Sequence, residues 1–138
     1  MGIVIDAPPE VVWAAVRDIR SHVDWMADAE SITFTSETTF NCVTKVGPFR
    51  TVDRMEIVEW DEGRAIGIRH VGLVRGTGRF TLRRTWRGRT RFTWAERLRF
   101  PWWMGGPVGA FVAKPVLRRV WRGNLRRLRS QVHSRSGG

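Results

Sequence analysis

The sequence predicts an α+β fold in which a curved antiparallel sheet of about seven strands wraps around one long C-terminal helix. Strand-length runs rich in Thr, Val, Ile, Phe and Trp fill the stretch from about 31 to 100. Only short Gly, Pro or acidic breaks separate these runs, which favours antiparallel neighbours because a parallel crossover needs about a dozen residues or more. From about 107 to 132 the apolar residues recur at helical spacing instead.

A short strand and a helix precede the main sheet. The segment 3–5 forms the strand, and Pro8 and Pro9 suit the first turn of a helix, where the backbone amides need no partner. The apolar face of this helix consists of Val12, Trp13, Val16 and Ile19. A second short helix is predicted over 21–26.

We predict six further strands, at about 31–37, 39–46, 49–60, 64–74, 78–87 and 90–100. A hairpin around Gly88 joins the last two of them. The run Gly76-Thr77-Gly78 is interpreted as a loop or bulge. It is not a dinucleotide-binding fingerprint, because a strand rather than a helix follows it.

The C-terminal helix carries a continuous apolar stripe over about 107–132. Pro115 lies inside this stripe, where it either kinks the helix or marks the junction of two shorter ones. We assign 1–133 to one domain and 134–138 to a disordered tail. One helix covers only the middle of one face of such a sheet. A sheet that curls around the helix therefore leaves a pocket between the sheet and the helix.

Composition limits the compartment of the protein. Cys42 is the only cysteine among 138 residues, so no internal disulfide can form and a reducing compartment is expected. The first residues lack the basic region and apolar run of a secretory signal. No apolar stretch approaches the roughly 20 residues that span a bilayer. These features predict a cytoplasmic protein.

The formal net charge of +11 is unevenly distributed along the chain. Residues 1–62 carry five Arg or Lys and twelve Asp or Glu, whereas residues 63–138 carry nineteen basic residues and a single acid, Glu96. This asymmetry raises the question of nucleic acid or an anionic membrane as partner. A GC-rich genome, which favours Arg codons over Lys codons, is the competing explanation for 22 Arg against 2 Lys.

Four short motifs occur in order along the chain: Ile5-Asp6-Ala7-Pro8-Pro9-Glu10-Val11-Val12-Trp13, Asp24-Trp25, Glu59-Trp60-Asp61 and Thr93-Trp94-Ala95-Glu96. With them, the chain resembles the START-like superfamily, also called SRPBCC, and specifically its bacterial polyketide cyclase/dehydrase-like members. The resemblance implies a helix-grip fold with a cavity for a hydrophobic small molecule. That superfamily includes lipid carriers, aromatase/cyclases and hormone receptors and has no universal catalytic motif, so the resemblance does not imply a particular reaction.

Known catalytic signatures are absent from the sequence. It contains no nucleophile elbow, Cys-x-x-Cys, His-Glu-x-x-His or phosphate loop, and its three histidines are scattered. We therefore expect no metal and no cofactor. The sequence carries no signal for a particular oligomeric state.

Glu96 and Arg84 are the first candidates for a polar site. Glu96 shares a strand face with Phe92, Trp94 and Leu98, and Arg84 shares an inward face with Phe80, Leu82 and Trp86. A buried carboxylate needs a partner, and Arg84 lies at the reach of a diagonal cross-strand pair. The pair is interpreted as the polar anchor of a ligand or as an ordinary core ion pair, or Glu96 lies at the cavity mouth and meets water.

His70 lies on the face of Ile66 and Ile68 and therefore points inward in the same prediction. It is interpreted either as a proton shuttle or as a satisfied core histidine. Glu96, Arg84 and His70 are the catalytic candidates. The predicted ligand-binding residues are Arg84, Trp94, Glu96, His70, Trp102, Trp103, Phe111, Leu117 and Trp121. Of these, Trp102 and Trp103 form a hydrophobic gate or a membrane-touching lip at the cavity mouth, or else plain packing under the start of the helix.

The C-terminal helix also carries a ridge of arginines, Arg118, Arg122, Arg126 and Arg129. This ridge is interpreted as a solvated helix face, as a surface for anionic lipid, or, less favoured, as one for nucleic acid. The sequence thus predicts a binder of a hydrophobic or aromatic molecule, acting as a carrier or as a cyclase/dehydratase. The alternative is a basic adaptor that docks on anionic membrane or nucleic acid and makes little use of the cavity.

Overall fold

Seven strands and two α-helices make up the fold in the computed structural model, which describes residues 1–46, 48–72, 75–99 and 106–136. The strands are β1 (Gly2–Ile5), β2 (Ala29–Phe34), β3 (Thr39–Val46), β4 (Phe49–Asp61), β5 (Ala65–Val71), β6 (Arg75–Arg84) and β7 (Thr90–Arg99). The helices are α1 (Pro9–Val16) and α2 (Gly106–Ser136), and short 3₁₀ helices cover Ile19–Asp24 and Trp86–Gly88.

All seven strands belong to one antiparallel sheet with the order β1-β7-β6-β5-β4-β3-β2. Strands β2 to β7 form a meander, and β1 pairs with β7 at the end of that series. The register slips between Ala29 and Ser31 and again between Ile57 and Glu59, and such bulges bend a strand. The curved antiparallel sheet and the C-terminal helix predicted from the sequence are confirmed.

The main core lies at one end of the molecule, where α1, the first 3₁₀ helix and the C-terminal half of α2 meet the sheet. Trp25 is 1% exposed and stacks edge-on against Phe92 and Trp94, with ring centroids 6.4 Å and 6.2 Å away. Leu125 and Leu128 of α2 belong to the same buried cluster. This cluster anchors one half of α2 to the rest of the domain.

Helix α2 runs through Pro115 as one continuous helix of 31 residues, so it is not two shorter helices. Its described part reaches Ser136 and overlaps the predicted tail 134–138 by three residues. Its two halves differ in burial, since Val108 and Phe111 are 70% and 78% exposed whereas Leu128 is 0% exposed. The N-terminal half therefore extends beyond the main core.

The hairpin between β6 and β7 differs from the prediction. Strand β6 occupies 75–84 rather than 78–87, and the chain turns through Arg87 and Gly88, both with positive φ. Arg84 lies opposite Thr90 instead of next to Trp94. Trp86, expected to point inward with Phe80, lies in the turn and is 83% exposed. The Gly76-Thr77-Gly78 run, expected to be a loop or bulge, lies inside β6.

Candidate functional site

A cavity of about 930 Å³ lies between the concave face of the sheet and the N-terminal half of α2. Strands β2 to β7 supply its floor, and α2 covers it from Gly109 to Trp121. The lining is dominated by aliphatic and aromatic side chains, such as Ile32, Phe40, Ile66, Phe80, Trp94 and Trp121. The cavity predicted from the mismatch between one helix and a curved sheet is present.

The helix covers this cavity without closing it. Val112 and Val116 line the cavity, yet they are 68% and 54% exposed. An apolar side chain that is both a cavity wall and half in solvent marks the rim of an opening. The cavity therefore communicates with solvent beside the N-terminal half of α2.

His70 and Glu96 form a polar pair on the cavity floor. His70 Nε2 lies 3.1 Å from Glu96 Oε2, and each of the two side chains is 11% exposed. The indole of Trp94 donates a hydrogen bond of 3.0 Å to Glu96 Oε1, so both carboxylate oxygens have partners. All three residues line the cavity. The carboxylate is thereby fixed in one orientation.

The pair crosses strand β6, which lies between β5 and β7 in the sheet. The residue of β6 opposite His70 is Gly76, and the residue opposite Glu96 is Gly78. A Cβ on Gly78 would lie 2.7 Å from Glu96 Oε1, closer than nonbonded atoms approach. Gly78 therefore leaves the space that the Glu96 carboxylate occupies, whereas a Cβ on Gly76 would collide with the backbone of Arg97.

Glu96 changes the acid–base behaviour of His70. Burial alone lowers the pKa of His70, but the hydrogen bond and the charge of Glu96, aided by the charge of Asp53, outweigh burial and raise it. The imidazole therefore holds a proton more readily than an isolated histidine does. A group with these properties can give or take a proton near neutral pH.

The predicted pair between Arg84 and Glu96 is wrong. Arg84 Nη2 lies 3.4 Å from both carboxylate oxygens of Glu10 at the surface, and Arg84 does not line the cavity. Because β6 ends three residues earlier than predicted, position 84 lies beyond the covered part of the sheet. Sequence reasoning placed Glu96 correctly but gave it the wrong partner.

A second polar group faces the cavity from β3 and β4. Asp53 is 8% exposed, and the hydroxyl of Thr44 donates a hydrogen bond of 2.6 Å to its Oδ2. Cys42 lies opposite Asp53 in the register, and burial raises the pKa of its thiol to about 11. Asp53, Thr44 and Cys42 all line the cavity. The sequence did not orient Asp53, because β4 mixes charged and apolar residues on both faces.

The remaining predicted site residues divide into three groups. Leu117 and Trp121 line the cavity, and the Trp121 ring lies 5.4 Å from that of Trp94. Phe111 does not line it and is 78% exposed. Trp102 and Trp103 fall outside the described residues.

The predicted arginine ridge of α2 faces solvent. Arg118, Arg122, Arg126 and Arg129 are all exposed. Three of them border a surface groove together with Phe111 and Lys114. The basic and apolar exposed parts of α2 are therefore contiguous.

Neither a metal-binding cluster nor a membrane-spanning helix is found among the described residues. Within 1–46, 48–72, 75–99 and 106–136, no three His, Cys, Asp or Glu side chains converge as they do around a metal ion. Over the same ranges, neither helix combines the length and the apolar character that crossing a bilayer requires.

Residues 1–133 match the family described as polyketide cyclase / dehydrase and lipid transport. No curated protein matches the chain. Among solved structures, the Zhui aromatase/cyclase from Streptomyces is similar, with a TM-score of 0.75 and 16% identity over 99% of this chain and 93% of that one. A START superfamily protein from Mycobacterium smegmatis is similar as well, with a TM-score of 0.71 and 12% identity over 95% and 96% of the two chains. At these identities the structural likeness shows a shared fold.

Proposed function

The chain belongs to the polyketide cyclase/dehydrase and lipid transport family, and from that premise we propose that it binds one hydrophobic or aromatic small molecule, lipid or polyketide-like, in the cavity under α2. The observation that carries this proposal is the cavity of about 930 Å³ with a mainly apolar lining. Its volume falls in the range of ~300–1,000 Å³ typical of small-molecule sites. The proposed compartment is the cytoplasm, which agrees with a buried free thiol at Cys42.

A proton-transfer role is the catalytic form of this proposal. His70 and Glu96 face the cavity as a hydrogen-bonded pair, and the raised pKa of His70 keeps its proton available near neutral pH. Cyclisation and dehydration of a carbonyl compound both require a proton to be removed at one atom and delivered at another. A molecule bound next to the pair would meet one group able both to remove a proton and to deliver it. Without such chemistry the same site serves a carrier.

Binding is tested by native mass spectrometry of freshly purified protein and by titration with Nile red, a neutral apolar dye. Val112→Trp places a large side chain in the cavity wall, and Val108→Trp is the matched control one turn earlier on the same exposed helix. We expect dye binding to wild type and Val108→Trp, and weaker binding to Val112→Trp. A protein that carries no small molecule and binds no dye would overturn the proposal.

Catalysis is tested on a substrate identified from the co-purifying molecule. Glu96→Gln and His70→Gln should each lower kcat by about 100-fold, the lower range for a single acid–base group. Arg84→Gln is the control, because Arg84 lies at the surface with Glu10. Turnover that survives both cavity changes would overturn the catalytic role proposed for the His70–Glu96 pair, and absence of turnover by the wild type would assign the protein to the carriers.

A basic adaptor that docks on an anionic membrane is the second candidate. The observation that favours it is the contact between the arginine ridge of α2 and its exposed apolar half, which includes Val108 and Phe111. Each basic residue near an anionic bilayer contributes about 1 kcal/mol of attraction. An apolar face beside such residues adds burial in the headgroup region.

Vesicle flotation distinguishes this candidate from simple solvation of the helix. Changing Arg118, Arg122, Arg126 and Arg129 to Gln should abolish binding to phosphatidylserine vesicles. The matched control changes Arg83, Arg91, Arg97 and Arg99, four exposed arginines of the sheet, to Gln. Equal loss in both variants would mean that net charge alone attracts the protein. Binding to DNA with steep salt dependence and no vesicle binding would favour nucleic acid instead.

A further inference from the structure

The convex face of the sheet, opposite the cavity and α2, is charged unevenly. Towards β4 its charges are paired, since Arg69 binds Glu56 at 2.8 Å and Arg79 binds Glu59 at 2.7 Å. Strands β1, β6 and β7, whose residues are all described, contain one acid, Glu96, and it lines the cavity instead. The sheet arginines, defined as the exposed arginines of β6 and β7 without an ion-pair partner among the described residues, are Arg75, Arg83, Arg91, Arg97 and Arg99.

The sheet arginines repel one another because they share one face. In β6 and β7 the residues that are buried or line the cavity have even numbers, namely Phe80, Leu82, Phe92, Trp94, Glu96 and Leu98. The odd-numbered sheet arginines therefore point to the convex side. The register places Arg75 opposite Arg99 and Arg83 opposite Arg91. Like charges directly opposite each other destabilise a sheet, and a bound polyanion would relieve this repulsion.

The sheet arginines form a long, narrow and polar strip. Eight residues separate Arg75 from Arg83, which is roughly 26 Å at about 3.3 Å per residue. The other side chains on this face of β6 and β7 include three hydroxyls, those of Thr77, Thr81 and Thr93. Hydroxyl groups donate hydrogen bonds to phosphate and sugar oxygens. The one apolar side chain of β6 and β7 on this face is the small Ala95, so these strands offer little to insert into a bilayer.

An exposed aromatic ring lies at one end of this strip. Trp86 is in the turn that joins β6 to β7, next to the end of the strip where Arg83 and Arg91 pair. It is 83% exposed, more than any other large apolar side chain of the described residues. The guanidinium of Arg87 lies 5.5 Å from its ring centroid. Surfaces that bind single-stranded nucleic acid combine these two elements, since a base stacks on an aromatic ring while the backbone follows basic side chains.

We propose that the convex face of β6 and β7 binds a single-stranded nucleic acid, with phosphates on the sheet arginines and one base on Trp86. This surface is separate from the cavity and goes beyond the proposed function. A guanidinium donates two parallel hydrogen bonds to a phosphate, so each sheet arginine suits one phosphate. A duplex is stiff over about 150 base pairs and touches a convex surface over a short length only. A flexible single strand can follow the curve of the sheet.

Fluorescence anisotropy with the intact chain tests the proposal, with a labelled 15-residue oligothymidylate and a labelled duplex of the same length as probes. We expect the wild type to bind the single strand more tightly than the duplex. The logarithm of the affinity should fall with the logarithm of the salt concentration with a slope of about −3.5, because each of five phosphate contacts contributes about −0.7. Equal or tighter binding of the duplex would overturn the proposal. A wild type that binds phosphatidylserine vesicles but neither probe would overturn it as well.

Two variants of equal charge locate the contact. The sheet variant changes four of the sheet arginines to Gln: Arg83, Arg91, Arg97 and Arg99. It should bind the single strand at least about tenfold more weakly, with a slope near −0.7 because one sheet arginine remains. The helix variant, in which the four arginines of the ridge on α2 are changed to Gln, is the matched control and should keep the wild-type slope. Equal losses in the two variants would show that net charge alone attracts the strand and would overturn the proposal.

Trp86→Ala tests the contact with a base. We expect binding about tenfold weaker than that of the wild type, as the loss of one stacked base predicts, with an unchanged salt slope because no charge is removed. Phe111→Ala, which removes an aromatic ring that is 78% exposed on α2, is the control and should bind like the wild type. Wild-type affinity in Trp86→Ala would overturn the stacking role of Trp86. The comparison of single strand and duplex on the wild type decides the question for the surface even where a variant does not fold.

Discussion

The imidazole of His70 reaches the carboxylate of Glu96, 3.1 Å away, across a strand that places only glycines between them. In an antiparallel sheet, the side chains of two strands that flank a third strand are normally separated by a side chain of that middle strand. Here Gly76 and Gly78 are the register partners of His70 and Glu96, and a side chain at Gly78 would lie against the carboxylate. The pair thus depends on residues that make no side-chain contact of their own.

Gly78→Ala tests that dependence. The added Cβ would lie 2.7 Å from Glu96 Oε1, and the carboxylate must move away because the backbone of β6 is held by both neighbours. We expect the hydrogen bond to His70 to break and the pKa of His70 to fall towards its ordinary value of 6.5. Titration of the imidazole resonances by NMR measures this change.

Gly123→Ala provides the control for the glycine substitution. Its Cβ would meet only the Arg127 guanidinium at 3.5 Å, an ordinary contact, and position 123 lies within α2. Alanine in a helix interior should raise the free energy of unfolding by about 0.5–1 kcal/mol. The pKa of His70 should stay unchanged. A fall of that pKa in both variants would contradict the role assigned to Gly78.

The His70–Glu96 bond should make stability depend on pH in a defined direction. Because the folded state raises the pKa of His70 above 6.5, it binds the proton more tightly than the unfolded chain. The stabilisation is fully present below 6.5 and is lost as the pH rises through the raised folded value. Denaturation of the wild type and of Glu96→Gln should therefore differ more at pH 5.5 than at pH 9. A difference that grows towards pH 9 would contradict the assignment.

His22 should have the opposite effect. It is 4% exposed, contacts the Val16 carbonyl oxygen at 2.7 Å, and burial lowers its pKa to about 4. The unfolded chain takes up the proton more readily than the folded one, so stability is lost as the pH falls from 6.5 towards 4. The loss should be on the order of 3 kcal/mol.

Comparison with His22→Gln isolates this effect, since the Gln amide can also donate to Val16. Urea denaturation at pH 7 and pH 4.5 should show a smaller acid-induced loss for the variant. An identical loss in both proteins would mean that other groups cause the acid sensitivity.

Two leucines of α2 should differ in their contribution to stability. Leu128 is 0% exposed in the main core, so Leu128→Ala should lower the free energy of unfolding by about 2–5 kcal/mol. Leu117 borders an existing cavity, so Leu117→Ala creates little new empty space and should cost about 1 kcal/mol or less. Urea denaturation of both variants gives the comparison. Equal costs would show that the N-terminal half of α2 is packed as tightly as the C-terminal half.

Alternation and helical spacing were sufficient to predict most of the inward-facing groups. Glu96 lies on the face of Phe92 and Trp94, and His70 lies on the face of Ile66 and Ile68, because the period of a strand is two wherever pairing is regular. Trp121 and Leu117 follow from the 3.6-residue period in the same way. These predictions required no knowledge of which strands are neighbours.

The pairing of those groups could not be predicted, because it depends on where β6 begins and ends. Gly76 and Gly78 are typical of breaks, yet here neighbouring strands on both sides hold them in the sheet. The left-handed conformation of Arg87 sets the turn, and arginine gives no signal for it. Two alternate glycines on a strand between a histidine and a glutamate are the signal that would have indicated the pair.

The two halves of α2 are buried unequally, so packing against the core and lining of the cavity fall on different residues of the same helix. The buried leucines of α2 and Val132 lie at positions 125–132, whereas the residues of α2 that line the cavity lie at positions 109–121. Substitutions at the cavity can therefore accumulate without bringing the chain below the stability it needs to fold. If the cavity binds the proposed ligand, substitutions at 109–121 can change what it binds while positions 125–132 keep the helix packed on the domain.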